Sequence, residues 1–356
     1  MAVAELRERL SAVPLRPARL RIGWLSAGVA CLIVAALVGV FIGPVGINPA
    51  QALRKLVGLL PFVPDTSHLS AQHEAILMQL RLPRVVLAGI VGATLAISGA
   101  AYQGAFRNPL ADPYLLGAAA GAGLGATVAI AYTPAGVGSN IVPMASFAGA
   151  LLAVALAYAV GRASGPGRTA TTLVLAGIAV MSFFTAVQTF LLQRRADQIR
   201  EVYGWILGRL ATVGWSDVFL VLPYVAVGIA TIMAHRRLLD VLALGDDEAE
   251  AVGVPARRVR LIVVVAASLS TAAVVAVSGL IGFVGLIVPH VVRLVAGTSY
   301  RVILPLSLCF GAAFLILADL LGRTVISPAE LPIGVITAFF GAPFFALVLR
   351  TSRKML

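Results

Sequence analysis

Residues 81–125 read RLPRVVLAGIVGATLAISGAAYQGAFRNPLADPYLLGAAAGAGLG. Two arginines around a proline open the stretch, and a long run of apolar and small residues follows. Arg107-Asn108-Pro109-Leu110-Ala111-Asp112-Pro113 then breaks that run before a glycine-rich apolar segment begins. A hydrocarbon core about 30 Å thick is crossed by about twenty residues of helix. Each apolar run is close to that length, so the fold is decided here: an all-α chain that crosses a bilayer repeatedly. A polar, proline-bounded knot between two such runs is costly unless it faces water, protein or a cavity. It reads as a functional turn in a transport pathway.

The whole chain agrees with its most telling part. Of 356 residues, 60% are hydrophobic and 12% charged, and the mean hydropathy is +0.99. A soluble domain carries about twice that charged fraction. The Leu/Ala/Val/Gly runs do not alternate, which excludes a transmembrane barrel. About ten spans are expected, at roughly 22–42, 82–105, 114–132, 142–160, 170–191, 217–235, 259–277, 280–296, 302–320 and 332–349. They form a single transmembrane domain over residues 1–356.

The net charge of +12 does not point to nucleic acid, because the arginines form no basic face with interleaved aromatics. They lie between the apolar runs, with 18 of the 27 Lys and Arg on one side and 9 on the other. The richer set includes Arg7 to Arg21, Arg107, Arg236, Arg237 and Arg257 to Arg260, and the poorer set includes Arg54, Arg81, Arg84, Arg209 and Arg323. The positive-inside rule then places both termini in the cytoplasm, as an even number of spans requires. Residues 1–21 form a cytoplasmic segment before a retained anchor helix. Cys31 and Cys309 lie inside apolar runs and read as small hydrophobes.

Two loops stand out. Residues 43–80 are external, and QALRKLVGLL within them has the pattern of a short amphipathic helix at the interface. His68 and His73 in this loop read as solvated side chains, since nothing nearby completes a metal site. Residues 236–258 form the longest cytoplasmic loop: Leu238 to Leu244, the acidic turn Gly245-Asp246-Asp247-Glu248, then Ala249 to Val254. That pattern predicts two short helices joined at the glycine, the second opening with acids at its positive end. Apolar residues interleaved with charge make it a docking surface.

A second knot runs SGLIGFVGLIVPH over 278–290. Gly279, Gly282 and Gly285 let backbones approach closely, Pro289 frees a carbonyl, and His290 and Arg293 add polarity. Ser98-Gly99 precedes Pro109 by the same interval that separates Ser278-Gly279 from Pro289. By the expected topology the two lie toward opposite sides, as an inverted repeat requires. Near the end of the chain, Asp319, Arg323, Glu330 and Pro332 form an external turn.

The chain contains no GxxxxGK[ST] phosphate loop and no HExxH, CxxC or GxSxG motif. No catalytic constellation, resident cofactor or metal site is expected. Ionisable residues are nearly missing from span centres, which disfavours the alternative of a secondary transporter or channel working alone on a small metabolite. The energy source then lies in a separate subunit docked on the 236–258 loop.

RLPR at 81–84, SGAAYQGAFRNPLADPYLLG at 98–117, ALGDDEAEAVGV at 243–254, SGLIGFVGLIVPHVVRL at 278–294 and ELPIGVITAFFGAPFFALVL at 330–349 resemble the FecCD-type permeases of ABC importers. The resemblance implies a type II importer permease fold in a bacterial plasma membrane, serving iron-siderophore, haem or vitamin B12 uptake. It also implies a second permease subunit, identical or a close paralogue, two ATP-binding subunits inside and a substrate-binding protein outside. Arg81, Arg84 and Arg323 then look like docking contacts for acidic residues of the binding protein. Ser98, Gly99, Asn108, Pro109, Leu110, Gly279, Gly282, Gly285 and Pro289 look like gate or pathway residues. Leu244, Gly245, Asp246, Asp247, Glu248, Ala249 and Gly253 look like the coupling segment on the ATPase.

Overall fold

In the computed structural model, residues 20–134, 140–163, 170–211 and 213–352 are described. Most of the expected cytoplasmic N-terminal segment, with Arg7, Arg9, Arg16 and Arg19, lies outside them, as do Arg168, Arg353 and Lys354. Every regular element among the described residues is helical. In chain order these are α1 (Ile22–Phe41), α2 (Pro49–Val57), α3 (Ala71–Ala75), α4 (Leu82–Phe106), α5 (Ala118–Tyr132), α6 (Ile141–Ala163), α7 (Ala170–Arg194), α8 (Ile199–Ile206), α9 (Trp215–Ala234), α10 (Arg236–Leu242), α11 (Asp246–Ala251), α12 (Ala256–Ser278), α13 (Val284–Ala296), α14 (Tyr300–Thr324) and α15 (Ile333–Ser352).

Among the described residues, seven helical runs are long and apolar enough to cross a membrane, and three apolar helices are shorter. Together they match the ten expected spans. The differences have local causes. The helix at the second span begins at Ala71 rather than after the external loop, and runs unbroken to Phe106. Its register widens to a π turn over Ile76–Arg81, directly before Pro83. Proline offers no N–H to the preceding turn, and the wide turn accommodates that loss. The short amphipathic helix expected in the external loop is α2, capped by Asn48, whose side chain accepts from Ala50 N at 2.9 Å.

Helix α4 is the centre of the molecule, with nearly its whole second half buried. It runs antiparallel to α14: Arg84 meets Asp319 near one end, and Gly104 meets Tyr300 near the other. Midway, a Cβ on Gly92 would overlap the carbonyl of Gly311. Two backbones packed this closely gain dispersion contact that larger side chains would prevent. Helix α12 is antiparallel to α4 as well, since Arg260 reaches Ala105 and Ser268 reaches Tyr102.

Helices α5 and α13 have 15 and 13 residues, about 20 Å each at 1.5 Å per residue. Neither crosses 30 Å alone. The remainder of each crossing is a turn and a short 3-10 helix (Pro113–Leu116) over 107–117 before α5, and irregular backbone over 279–283 before α13. The repeated unit is thus a long helix, a break and a short helix, present twice with the long helices antiparallel. The Ser-Gly/Pro interval does not mark equivalent places. Ser98 and Gly99 lie inside α4, whereas Ser278 ends α12; Pro109 is in a turn, whereas Pro289 is inside α13.

Candidate docking, gate and coupling sites

The three arginines expected to face a docking partner gather at one end of the bundle and turn inward. Arg81 is 5% exposed and Arg323 2%. Arg81 donates to the carbonyls of Val40 (3.3 Å), Phe41 (3.4 Å) and Val45, and Arg323 to that of Gly39. These are the carbonyls at the end of α1 and just beyond it, which helix geometry leaves without partners. Arg84 holds Asp319 through Nε and Nη2 (2.8–3.0 Å) and Glu330 through Nη1 and Nη2 (2.9 and 3.0 Å). Two carboxylates therefore share one guanidinium fork in charge-assisted geometry. Asp319 is buried and Glu330 lies at the rim, its side chain 35% exposed. In this arrangement an incoming carboxylate reaches Arg84 only by competing with Glu330, while Arg81 and Arg323 clamp α1 from behind.

The Arg107–Pro113 knot is ordered by its own polar side chains. Helix α4 ends with Arg107 in the left-handed region (φ 51°), and Asn108 N donates to Gln103 O at 3.1 Å. Asn108 Oδ1 then accepts from Leu110 N (2.9 Å), and Asp112 Oδ1 from Tyr114 N (2.8 Å). These are two successive Asx turns, the motif that lets Asn and Asp replace backbone partners. Asn108, Pro109 and Leu110 stay exposed, whereas the chain from Ala111 to Gly117 folds back among the helices.

That return brings the two knots together. The Tyr114 hydroxyl donates to Ile281 O (3.2 Å) and lies 3.4 Å from Ile281 N. Ser278 O accepts from Arg209 N at 2.9 Å. Irregular backbone at membrane depth is tolerated because protein groups satisfy it in this way. The three glycines of the second knot differ in purpose. Gly279 has φ 71° and abuts the Trp205 carbonyl; Gly285 lies against the backbone of Leu95 and Gly99. Gly282 has nothing within 4 Å of a Cβ position and borders open space. Ser98 is buried with its hydroxyl unpartnered among the described residues. Phe283, left-handed at φ 69°, seats its ring where a Cβ on Gly341 would be. Pro109 and Leu110 share a small cleft with Phe283, Leu286, His290 and Phe344, so the exposed turn touches α13 and α15.

A large cavity of about 650 Å³ lies elsewhere, among α1, α4, α9 and α14. Leu32, Val40, Leu82, Ile90 and Leu222 are among its lining residues, which are all apolar. It offers nothing to orient a polar chelate.

The 236–258 loop forms the two expected helices, α10 and α11, joined at Gly245 (φ 147°). Only glycine adopts that conformation at low cost. Ala249 is fully buried and anchors α11, while Leu244 and Val252 are 70% and 67% exposed beside Asp247, Glu248 and Glu250. Gly253 at φ 80° closes the second helix, and Val254 N returns to Ala249 O at 2.9 Å. Asp246 pairs with Arg260 at 2.6 Å and with Arg107 at 3.6 Å. The Arg260 hydrogen bond holds its carboxyl below the usual carboxylate range.

Sequence reasoning missed three connections between these sites. Arg260 Nε donates to Ala105 O at 2.7 Å, tying α11 to the last turn of α4. Asp240 on α10 accepts from Tyr300 N (2.6 Å) and Ser299 Oγ (2.8 Å), holding the start of α14. Gln103 and Arg293 join α4 to α13, with Arg293 Nη2 donating to Gln103 Oε1 at 2.8 Å. A lone amide inside an apolar helix is the signal that could have found Gln103, because such a group needs a partner in hydrocarbon.

Comparison with known proteins bears on the chain as a whole. The model of the FecCD transport family matches residues 31–351. The cobalamin import system permease protein BtuC of Halobacterium salinarum is 45% identical over 302 residues, covering 85% of this chain and 79% of that protein. The iron(3+)-hydroxamate import system permease protein FhuB of Bacillus subtilis is 37% identical over 330 residues, covering 93% and 83%. A solved inward-facing structure, described as a metal-chelate type ABC transporter, superposes with a TM-score of 0.81 at 27% identity. It covers 93% of this chain and all of that one. With ten apolar helices, two breaks that meet and a family match over nearly its full length, this chain is a member of the FecCD transport family of ABC-transporter permeases.

Proposed function

We propose that the chain is the membrane-spanning subunit of a binding-protein-dependent importer for an iron chelate, an iron-siderophore first, with haem and cobalamin as alternatives. Two permease subunits, this chain with a second copy or a close paralogue, would enclose the pathway in a bacterial plasma membrane. Two ATP-binding subunits would sit on the coupling loops, an extracytoplasmic binding protein would deliver substrate, and both chain termini would be cytoplasmic. The chain itself carries no catalysis; hydrolysis belongs to the ATP-binding partners.

The observation that carries this reading is the coupling loop. Leu244 and Val252 are exposed on either side of α11, in a loop that Ala249, Asp240 and Arg260 fix to the bundle. An exposed apolar pair ringed by acids suits a protein partner, and rigid anchoring lets the partner's motion reach α4 and α14. Alternating access then follows as movement of packed helices between two arrangements. The hydroxamate permease and the metal-chelate structure support an iron chelate; the BtuC relative makes cobalamin the alternative to test. On the outer face, Arg84 is the arginine placed to exchange Glu330 for a docking carboxylate, with Arg81 and Arg323 holding the frame behind it.

The test is reconstitution of the chain with its ATP-binding and binding-protein partners in liposomes, offering radiolabelled ferric hydroxamate, haemin and cyanocobalamin in separate arms. ATP-dependent accumulation of the ferric hydroxamate supports the proposal in full. Accumulation of another probe alone replaces the substrate. Accumulation by the chain without any ATP-binding partner overturns the importer reading.

A further inference from the structure

Pro289 lies inside α13, where an ordinary residue would donate its N–H to the carbonyl four positions earlier. That carbonyl belongs to Gly285, and it is buried at the crossing of α13 with α4. A buried carbonyl without a partner costs free energy comparable to a lost hydrogen bond. Gln103 supplies the partner: its Nε2 donates to Gly285 O at 3.1 Å. Its Oε1 accepts from Arg293 Nη2 at 2.8 Å, one helical turn beyond the proline. The chemistry fixes the amide orientation, because a carbonyl only accepts and a guanidinium only donates. Glutamine satisfies both at once. Glutamate would keep the acceptor and lose the donor, and asparagine is one methylene shorter.

The surroundings give this bridge a mechanical place. Gln103 is 1% exposed and lies in the last turn of α4, four residues before Arg107 opens the exposed turn. Two residues on, Ala105 O holds Arg260, which holds Asp246 of the coupling segment. The ring of Tyr300, whose backbone is fixed by Asp240, packs beside Gly104 and within electrostatic reach of Arg293. Contacts from both short helices of the coupling loop thus arrive on the same turn of α4 that grips the second knot.

We propose that Gln103 is a positioning residue of the gate: it replaces the helical hydrogen bond that Pro289 removes, and so makes α13 follow the end of α4 when the coupling loop moves. This rests on the importer reading above. Proline loosens α13 within itself, and glutamine fastens the loosened point to a neighbour. The short helix is thereby registered against α4 instead of against its own preceding turn.

The experiment compares Gln103→Leu and Gln103→Glu with the wild type in the reconstituted complex, each also in a Pro289→Ala background. Alanine at 289 returns an N–H to Gly285 O and makes the bridge redundant for satisfying it. The readout is substrate accumulated per ATP hydrolysed, with whichever of the three probes the wild type carries. Both single variants are expected to lower that ratio about tenfold while ATP hydrolysis per assembled complex stays. Glutamate is included because it retains the Arg293 contact and loses only the Gly285 one. In the Pro289→Ala background, replacing Gln103 should cost little more than Pro289→Ala alone. If Gln103→Leu does not assemble, recovery of assembly by Pro289→Ala is the expected result, and no recovery overturns the proposal. An unchanged ratio, or a fall in uptake explained by less assembled complex, overturns it as well. A wild-type complex that carries no probe sinks the importer reading first, and the failed control tells the two failures apart.

Discussion

Arg84 shows how one side chain can be right in place and different in role from its sequence reading. The RLPR arginines read as outward-facing docking contacts and the acids at 319 and 330 as part of an external turn, yet the structure makes Arg84 and the two acids partners across 235 and 246 residues of chain. Asp319 is 2% exposed, and without Arg84 its remaining cation is Arg323 at 3.6 Å. Breaking a buried pair by deleting one partner typically costs about 3–5 kcal/mol, because a charge is left uncompensated. Arg84→Ala is therefore expected to lower the melting temperature of the purified chain in detergent substantially. Arg84→Ala with Asp319→Ala should lower it less than the single change. A double variant that loses as much as Arg84→Ala and Asp319→Ala added together would show that the two side chains are not coupled. Sequence patterning finds such charges but not their partners, since pairing depends on which helix ends meet.

At the scale of elements, the ten spans were legible because each crossing demands a long apolar run. The two breaks were legible as polar or glycine-rich knots. Their contents were read unevenly. Asn108 and Asp112 are recognisable turn formers, and the acids after Gly245 mark a helix start. The contact between Gly99 and Gly285 was not visible, because it joins positions that the sequence keeps far apart. A Cβ on Gly99 would fall on the backbone of Gly285, whereas one on Gly282 would meet nothing within 4 Å. Gly99→Ala is expected to cost about 1–3 kcal/mol through overpacking, read as a lower melting temperature and lower yield. Gly282→Ala should leave both unchanged. Loss of stability at Gly282 instead of Gly99 would show that the α4–α13 crossing is placed wrongly.

Across the whole molecule, the two ends of the bundle carry different contacts joined by one buried helix. Helix α4 receives Arg84 contacts at its start and the Arg260 contact at its end, with α14 and α12 packed antiparallel along it. If the exposed apolar pair seats an ATP-binding partner, Leu244→Asp with Val252→Asp should abolish co-purification of that partner. The melting temperature of the chain alone should not move, since both side chains are already in water. Retained co-purification would place the ATPase on another surface.

The sequence by itself determined the membrane class, the ten apolar helices and their approximate bounds, the two short helices around Gly245 and the polar turn after Phe106. These follow from local chemistry: hydrocarbon admits only internally bonded backbone, and Gly, Asn, Asp and Pro impose their conformations wherever they stand. Only the tertiary structure decided that Arg81 and Arg323 clamp carbonyls, that the knots at 107–113 and 278–290 touch, and that Gln103 answers the carbonyl freed by Pro289. Those outcomes depend on which buried groups meet across helices. A side chain's partner is settled by the packing that brings it within hydrogen-bond reach, and no single stretch of chain contains both halves of the pair.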